Sequence, residues 1–262
     1  MFEQRKHEGV TYFVFKELED QGVAHVIGTR QGGVSPPPFD TLNVSLAVED
    51  TPERVRENRA RLARILHLTP DDLVRVHLVH GAQAEKVGRE HKGTMIRHRD
   101  ALMTDEPGVP LFMTFADCIP VIIFDPIHRA VALVHAGWRG TAAGITMRTI
   151  AQMQQTYGSR PEDLVVALGP GIGRCHYEVG MDVIEAFDVF GRGPVVFEKK
   201  GRRYFLDLVE TNAQQAAMMH VPTVLKSGYC TACHPDLFFS HRGEKGKTGR
   251  FGVIVMLREP QP

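Results

Sequence analysis

A chain of 262 residues that is 43% hydrophobic and 24% charged has the make-up of a globular protein, long enough for one sizeable core. Its 31 Lys and Arg balance 31 Asp and Glu, a formal net charge of +0, so no broad basic field exists to hold a nucleic acid. The opening MFEQRKHEGV lacks an apolar signal core and no later run approaches ~18 apolar residues, so the expectation is a cytoplasmic protein with no membrane partner.

In chain order, TYFVF from Thr11 and AHVIGT from Ala24 read as strands, and SPPPFD around Pro36 to Pro38 as a short connection. TPERVRENRARLARILHL from Thr51 follows as a helix with a cap-and-proline start and Val55, Leu62, Ile65 and Leu66 on one face. Strands are then expected at LVRVHLV from Leu73, LFMTFA from Leu111, VIIFD from Val121, AVALVHA from Ala130 and LVVALG from Leu164. A helix is expected after Thr141, others at Asp182 to Val189 and Leu208 to Met219, and a closing strand at FGVIVML from Phe251. The strand runs are mostly unalternated, which predicts burial on both faces. The fold class is therefore mixed α/β, a single layered domain over 1–262 around a largely buried sheet, with no internal repeat or linker.

Three residues at expected strand ends point to chemistry: His80 in LVHG, Cys118 in FADCIP and His135 in VHAGWRGT. Imidazole and thiolate are ligands zinc favours, and three protein ligands with one open position form a catalytic arrangement. The separations of 38 and 17 residues are too long for one local metal loop, so spacing alone leaves the alternative of a buried cysteine and two core histidines open. His77 also competes, although in a strand it faces away from His80. HAGWRGT sets the only tryptophan among glycines beside Arg139, then a Thr141 able to cap the next helix; this suits an anion. A second glycine-rich turn, LGPGIGRCHYEVG from Leu168, is not the dinucleotide fingerprint, and a Rossmann cofactor site is excluded. The four cysteines, Cys118, Cys175, Cys230 and Cys233, are too few for a secreted disulfide framework and are read as reduced. Cys230 and Cys233 form a CxxC that lacks a second pair, and Cys175 sits beside His176; a redox or second-metal role for them is a weak signal.

Seven ordered blocks carry a family likeness: GTRQGGVSPPPFDTLNVSLAVEDTPERVRENR from Gly28, LVHG at His80, DALMTDEPGVPLFMTFADCIPVIIFDP from Asp100, VHAGWRGT, ALGPGIGRCHYEVG, CTAC and FFSHRGEKGKTGR. With them the chain resembles the YfiH-like laccase-domain proteins, described as multicopper polyphenol oxidase-type and understood as purine nucleoside phosphorylases with adenosine deaminase side activity. The resemblance implies one zinc ion on His80, Cys118 and His135, with copper as a substitute, in a pocket for a purine nucleoside and phosphate. It also implies that Cys230 belongs to a structural turn. The chain departs from the pattern at Leu78, where the family usually has Gln, and at His176, where it often has Cys.

For phosphorolysis, arginines in or beside the blocks are the phosphate candidates: Arg30, Arg59, Arg139, Arg242 and Arg250, with Arg139 favoured for its setting. Deamination at C6 of adenine would use a metal-activated water with a proton carrier beside it. The chain lacks the H-x-E and P-C-x-x-C signature of zinc nucleobase deaminases, so a different proton carrier is needed, and Asp117 is the candidate because it adjoins Cys118. Three other readings remain: a copper-dependent polyphenol oxidase, although the chain has no H-x-H; a metal-free hydrolase with a Cys118–His135 pair; and a nucleoside-binding regulator.

Overall fold

The computed structural model describes residues 1–190 and 195–259. Two large mixed sheets dominate. The first runs, in spatial order, Phe2–His7, Val10–Phe15, Val23–Gly28, Phe251–Leu257, Leu111–Phe115, Val74–His77 and Met95–Arg97. The second runs Thr223–Lys226, Val165–Leu168, Ile119–Asp125, Ala130–Ala136, Ala101–Thr104 and Ala84–Lys86. Most neighbours are antiparallel, but Val74–His77 pairs parallel on both sides, Val165–Leu168 runs parallel to Thr223–Lys226, and Ala84–Lys86 runs parallel to Ala101–Thr104. A smaller sheet joins Glu178–Val179, Arg203–Leu206 and Phe197–Lys200.

The two sheets pack face to face. Phe13, Phe15, Val74, Met113 and Phe115 of the first meet Leu102, Ile122, Phe124, Leu133 and Ala167 of the second in one apolar layer. Helices then cover the outer faces. Leu62 and Ala63 of the Pro52–Arg64 helix cover Val26, Phe112 and Ile254, while Ile145, Ile150 and Met153 of the Ile145–Tyr157 helix cover Val121, Ile123, Ala132 and Val134. The Leu208–Met218 helix lies on that second outer face. This explains the unalternated strand sequences: Ile119–Asp125 and Ala130–Ala136 are buried throughout, sheet on one face and helix on the other. The mixed α/β layering matches the sequence reading, with the buried sheet doubled.

Local details differ from the sequence reading in three places. The helix from Pro52 ends at Arg64, so Ile65 and Leu66 pack from the following turn, and Thr51 makes no side-chain cap bond. Val74–His77 ends three residues before His80, and Leu111–Phe115 ends three before Cys118. Thr141 caps nothing: it is buried inside the short Trp138–Ala142 helix, its hydroxyl accepting from Asn212 Nδ2 at 3.1 Å. No helix among the described residues is long and apolar enough to cross a membrane.

Candidate metal centre and crevice

The topology brings the two sheets together at one end of the sandwich, and the ligand candidates sit there. His80 follows the Val74–His77 strand of the first sheet. Cys118 lies in the link by which the chain leaves Leu111–Phe115 and enters Ile119–Asp125 of the second, and His135 is the penultimate residue of Ala130–Ala136. One ligand atom from each, His80, Cys118 and His135, lies within 4.8 Å of the others. The competitor His77 instead packs edge-on against His98, 5.2 Å between ring centroids.

A residue unassigned in the sequence reading holds two of the three, His80 and His135. Asp100, fully buried at the start of the Ala101–Thr104 strand, accepts backbone N–H bonds from Val79 (3.2 Å), His80 (2.9 Å) and Gly81 (2.7 Å). It also contacts His135 Nδ1 at 3.1 Å, which fixes the ring and leaves Nε2 toward the cluster. Burial alone would raise the Asp100 carboxyl pKa; the bonds from His135 and Gly81 outweigh it and hold the group below its ordinary range. The signal in the sequence was slight: one acid directly before a short strand, Ala101–Thr104, that is buried throughout. A buried carboxylate there requires partners.

The donor set is electrostatically coupled. Burial opposes a Cys118 thiolate, but His135 and His80 outweigh it and bring the thiol down to about 6. Burial likewise opposes an imidazolium at His135, and Cys118 and Asp100 push it up to about 9. Gly137 leaves the room the cluster needs, since a Cβ there would stand 2.9 Å from Cys118 Sγ and 3.1 Å from His80 Nδ1. Gly140 is needed for a different reason: a Cβ would stand 2.7 Å from the Gly81 carbonyl oxygen. His80 and Asp117 both adopt positive φ, 57° and 90°, backbone states that are sparsely populated and concentrate at functional sites.

A crevice of about 470 Å³ opens over the trio, a size that suits a small ligand. Trp138, Tyr177 and Leu78 give it apolar walls, and Arg139, Arg242 and Arg250 bring three cations to it. Arg139 lies 4.3 Å over the Trp138 ring and Arg242 5.0 Å over the Tyr177 ring. Arg250 donates to the Thr248 and Gly249 carbonyls, and burial lowers its pKa. The cations nominated from sequence therefore divide. Arg30 is not in the crevice: it donates to the carbonyls of Asp40 and Pro235 and to Glu244, and stacks over Phe239. Arg59 lines a neighbouring hollow, donating to the Val44 carbonyl, its pKa lowered to about 10 by burial. The short helix after Gly137 has five residues, so the anion-friendly character of HAGWRGT rests on Arg139 rather than on a helix terminus.

Asp117 faces the crevice, but its carboxylate accepts from Thr231 Oγ1 (2.6 Å), Ser240 Oγ (2.7 Å) and the Arg242 backbone N–H (2.6 Å). It ties the 231 turn and the 240–242 segment to the loop that carries Cys118. A second cluster went unassembled in sequence: Cys175, His176, Cys230 and Cys233 also offer ligand atoms within 4.8 Å of one another, a set able to hold a metal.

The model of the multi-copper polyphenol oxidoreductase laccase family matches residues 24–258. The chain belongs to that family. Among its laccase-domain relatives, the purine nucleoside phosphorylase YlmD of Geobacillus stearothermophilus is 38% identical over 250 residues, 91% of each chain. A purine nucleoside phosphorylase of Deinococcus radiodurans is 40% identical over 235 residues, 90% of this chain and 89% of that one. The crystal structure of Geobacillus YlmD superposes with a TM-score of 0.92 at 36% identity, covering 98% of this chain and 99% of the other. The likeness to these family members thus spans both sheets and the crevice between their ends.

Proposed function

We propose that this laccase-domain protein is a purine nucleoside phosphorylase that works with one zinc ion, converting adenosine, inosine or methylthioadenosine and phosphate to free base and the corresponding sugar 1-phosphate. Adenosine deamination is a side activity in this reading. The observation that carries it is the convergence of His80, Cys118 and His135 beneath a crevice walled by Trp138 and Tyr177 and ringed by three arginines. The names of the relatives supply the substrate class.

The residues fit zinc: two imidazoles and a thiol, one imidazole oriented by a buried carboxylate, with Gly137 leaving space beside Cys118. Bound there, zinc supplies Lewis acidity at the crevice floor, and the same donor set accepts copper. The chain's own groups do the rest. Arg139, Arg242 and Arg250 offer guanidinium donors to phosphate, whose oxygen forms the new bond to the anomeric carbon as the bond to the purine nitrogen breaks. The same cations sit against a transition state in which the sugar becomes oxocarbenium-like and the phosphate must stay fixed beside it. Trp138 and Tyr177 exclude water and offer faces to the purine.

The three bonds Asp117 accepts support a positioning role for it in place of proton transfer. No glutamate lines the crevice among the described residues, which fits deamination as the minor reaction. One observation favours a second reading: the lowered Cys118 thiol beside His135 is also the pairing of a metal-free hydrolase.

Incubating the purified protein with inosine or adenosine, with and without phosphate, separates them. Phosphate-dependent release of base and ribose 1-phosphate, lost by at least ~100-fold in Cys118→Ala and on chelation, is the expected result. Turnover that survives complete metal removal but stops with iodoacetamide favours the hydrolase. Phenol oxidation dependent on copper, without nucleoside turnover, favours the oxidase.

A further inference from the structure

Cys175, His176, Cys230 and Cys233 are separated by as many as 58 residues, yet the sheet brings them together. Val165–Leu168 and Thr223–Lys226 are parallel neighbours in register from Val165 opposite Thr223 to Leu168 opposite Lys226, so the loops leaving their ends start side by side. The pairing continues past the strands as a bridge between Gly171 and Cys230, with Thr231 N–H donating to the Gly171 carbonyl at 2.9 Å. Each loop then folds back on itself. His176 and Tyr177 N–H reach the Gly173 carbonyl at 3.0 and 3.1 Å, and Cys233 and His234 N–H reach the Cys230 carbonyl at 3.1 and 3.2 Å. These two turns aim all four side chains at one point.

The distances have the scale of a metal tetrahedron. Sγ of Cys175 lies 3.6 Å from that of Cys230 and 3.4 Å from that of Cys233. His176 Nδ1 stands 3.3, 4.0 and 3.4 Å from the sulfurs of Cys175, Cys230 and Cys233. Tetrahedral zinc with its usual bond lengths sets sulfurs about 3.8 Å apart and sulfur to nitrogen about 3.6 Å apart. A disulfide needs about 2.05 Å, and all four cysteines are free. The Gly173 N–H donates to Cys230 Sγ at 3.2 Å, and a Cβ at Gly173 would press on Cys175 and Cys230 at 3.2 Å, so the loop closes tightly on the cluster. Arg202, Arg203 and Arg242 line the hollow beside His176 with one carboxylate, Glu178, which pairs with Arg203 at 3.4 Å, and the surplus of cations offsets the net negative charge of three thiolates on a divalent ion.

We propose that Cys175, His176, Cys230 and Cys233 hold a second zinc ion, closed by four protein ligands and therefore structural. The site is separate from His80, Cys118 and His135 and does not depend on the reading of the crevice chemistry. Its place explains its use. Thr231, inside the C-T-A-C turn, donates to Asp117 next to Cys118, and Tyr177, following His176, forms a crevice wall. The ion staples two loops that shape the crevice without touching its contents.

Metal content of the untagged protein, measured by elemental mass spectrometry, tests this. The staple requires that Cys118→Ala retain one equivalent of zinc per chain, and that Cys175→Ser and Cys233→Ser each contain one equivalent fewer than the parent. Thiol counting of the denatured, metal-stripped protein must return four free cysteines. A Cys118→Ala protein that folds without zinc overturns the proposal, as does a disulfide within the cluster. Because Cys118→Ala leaves all four proposed ligands intact, misfolding of the cluster variants cannot rescue the idea. Failure of the crevice zinc alone would show as one equivalent in the parent, unchanged in Cys118→Ala.

Discussion

Asp100 does the most with one side chain, for it pins the His80 backbone and the His135 ring at once. Asn in its place presents an amide donor where backbone N–H groups need an acceptor. Asp100→Asn should weaken metal binding and turnover 10- to 100-fold (about), measurable by competition with a chromophoric chelator. His25 shows the opposite electrostatics. It is buried between two backbone groups, accepting from Phe15 N–H at 2.7 Å through Nε2, with Nδ1 3.0 Å from the Val23 carbonyl, and burial pushes it from 6.5 down to about 4. Between those values the unfolded chain takes a proton that the folded chain refuses. The stabilisation is complete above pH 6.5 and declines as pH falls toward 4, by about 3 kcal/mol across the window. Denaturation of the wild type and His25→Gln at pH 7 and pH 5 reads the difference; equal pH slopes in the two proteins would refute this.

Elements matter here for what they deliver. The Pro52–Arg64 helix buries Asn58 with its apolar face, and that amide lies 2.9, 3.2 and 2.7 Å from Ser35 Oγ and the carbonyls of Thr41 and Asn43, while accepting from Val34 N–H at 2.9 Å. It thereby fixes the Pro-rich connection whose continuation, Ser45 and Ala47, reaches the crevice. Asn58→Ala removes these four contacts and leaves the buried Asn43 carbonyl without its partner, and should cost about 1–3 kcal/mol in a urea titration. The sequence pattern showed the helix but assigned Asn58 no role. Only the packed loop shows why an amide is needed inside. The same holds for the CxxC, a weak signal along the chain and a four-residue cluster once two parallel strands set their loops adjacent.

The whole molecule is two sheets sharing one apolar interior, so damage at their interface should be felt globally. Phe124→Ala, deep between the sheets, is expected to lower stability by about 3–5 kcal/mol without altering the metal content of the remaining folded protein. By itself the sequence determined the layered α/β class, the doubly buried strands and the family, because unalternated apolar runs and seven ordered blocks are properties of the chain read locally. It also put His80, Cys118 and His135 forward together. Tertiary structure decided what depends on distances between remote segments: that Asp100 braces His80 and His135, that Arg139, Arg242 and Arg250 reach the crevice while Arg30 and Arg59 are held elsewhere, and that Cys175 and His176 meet Cys230 and Cys233. A side chain's charge is written in its own residue, but its partners are set by which strands pair and by where the chain passes from one sheet to the other.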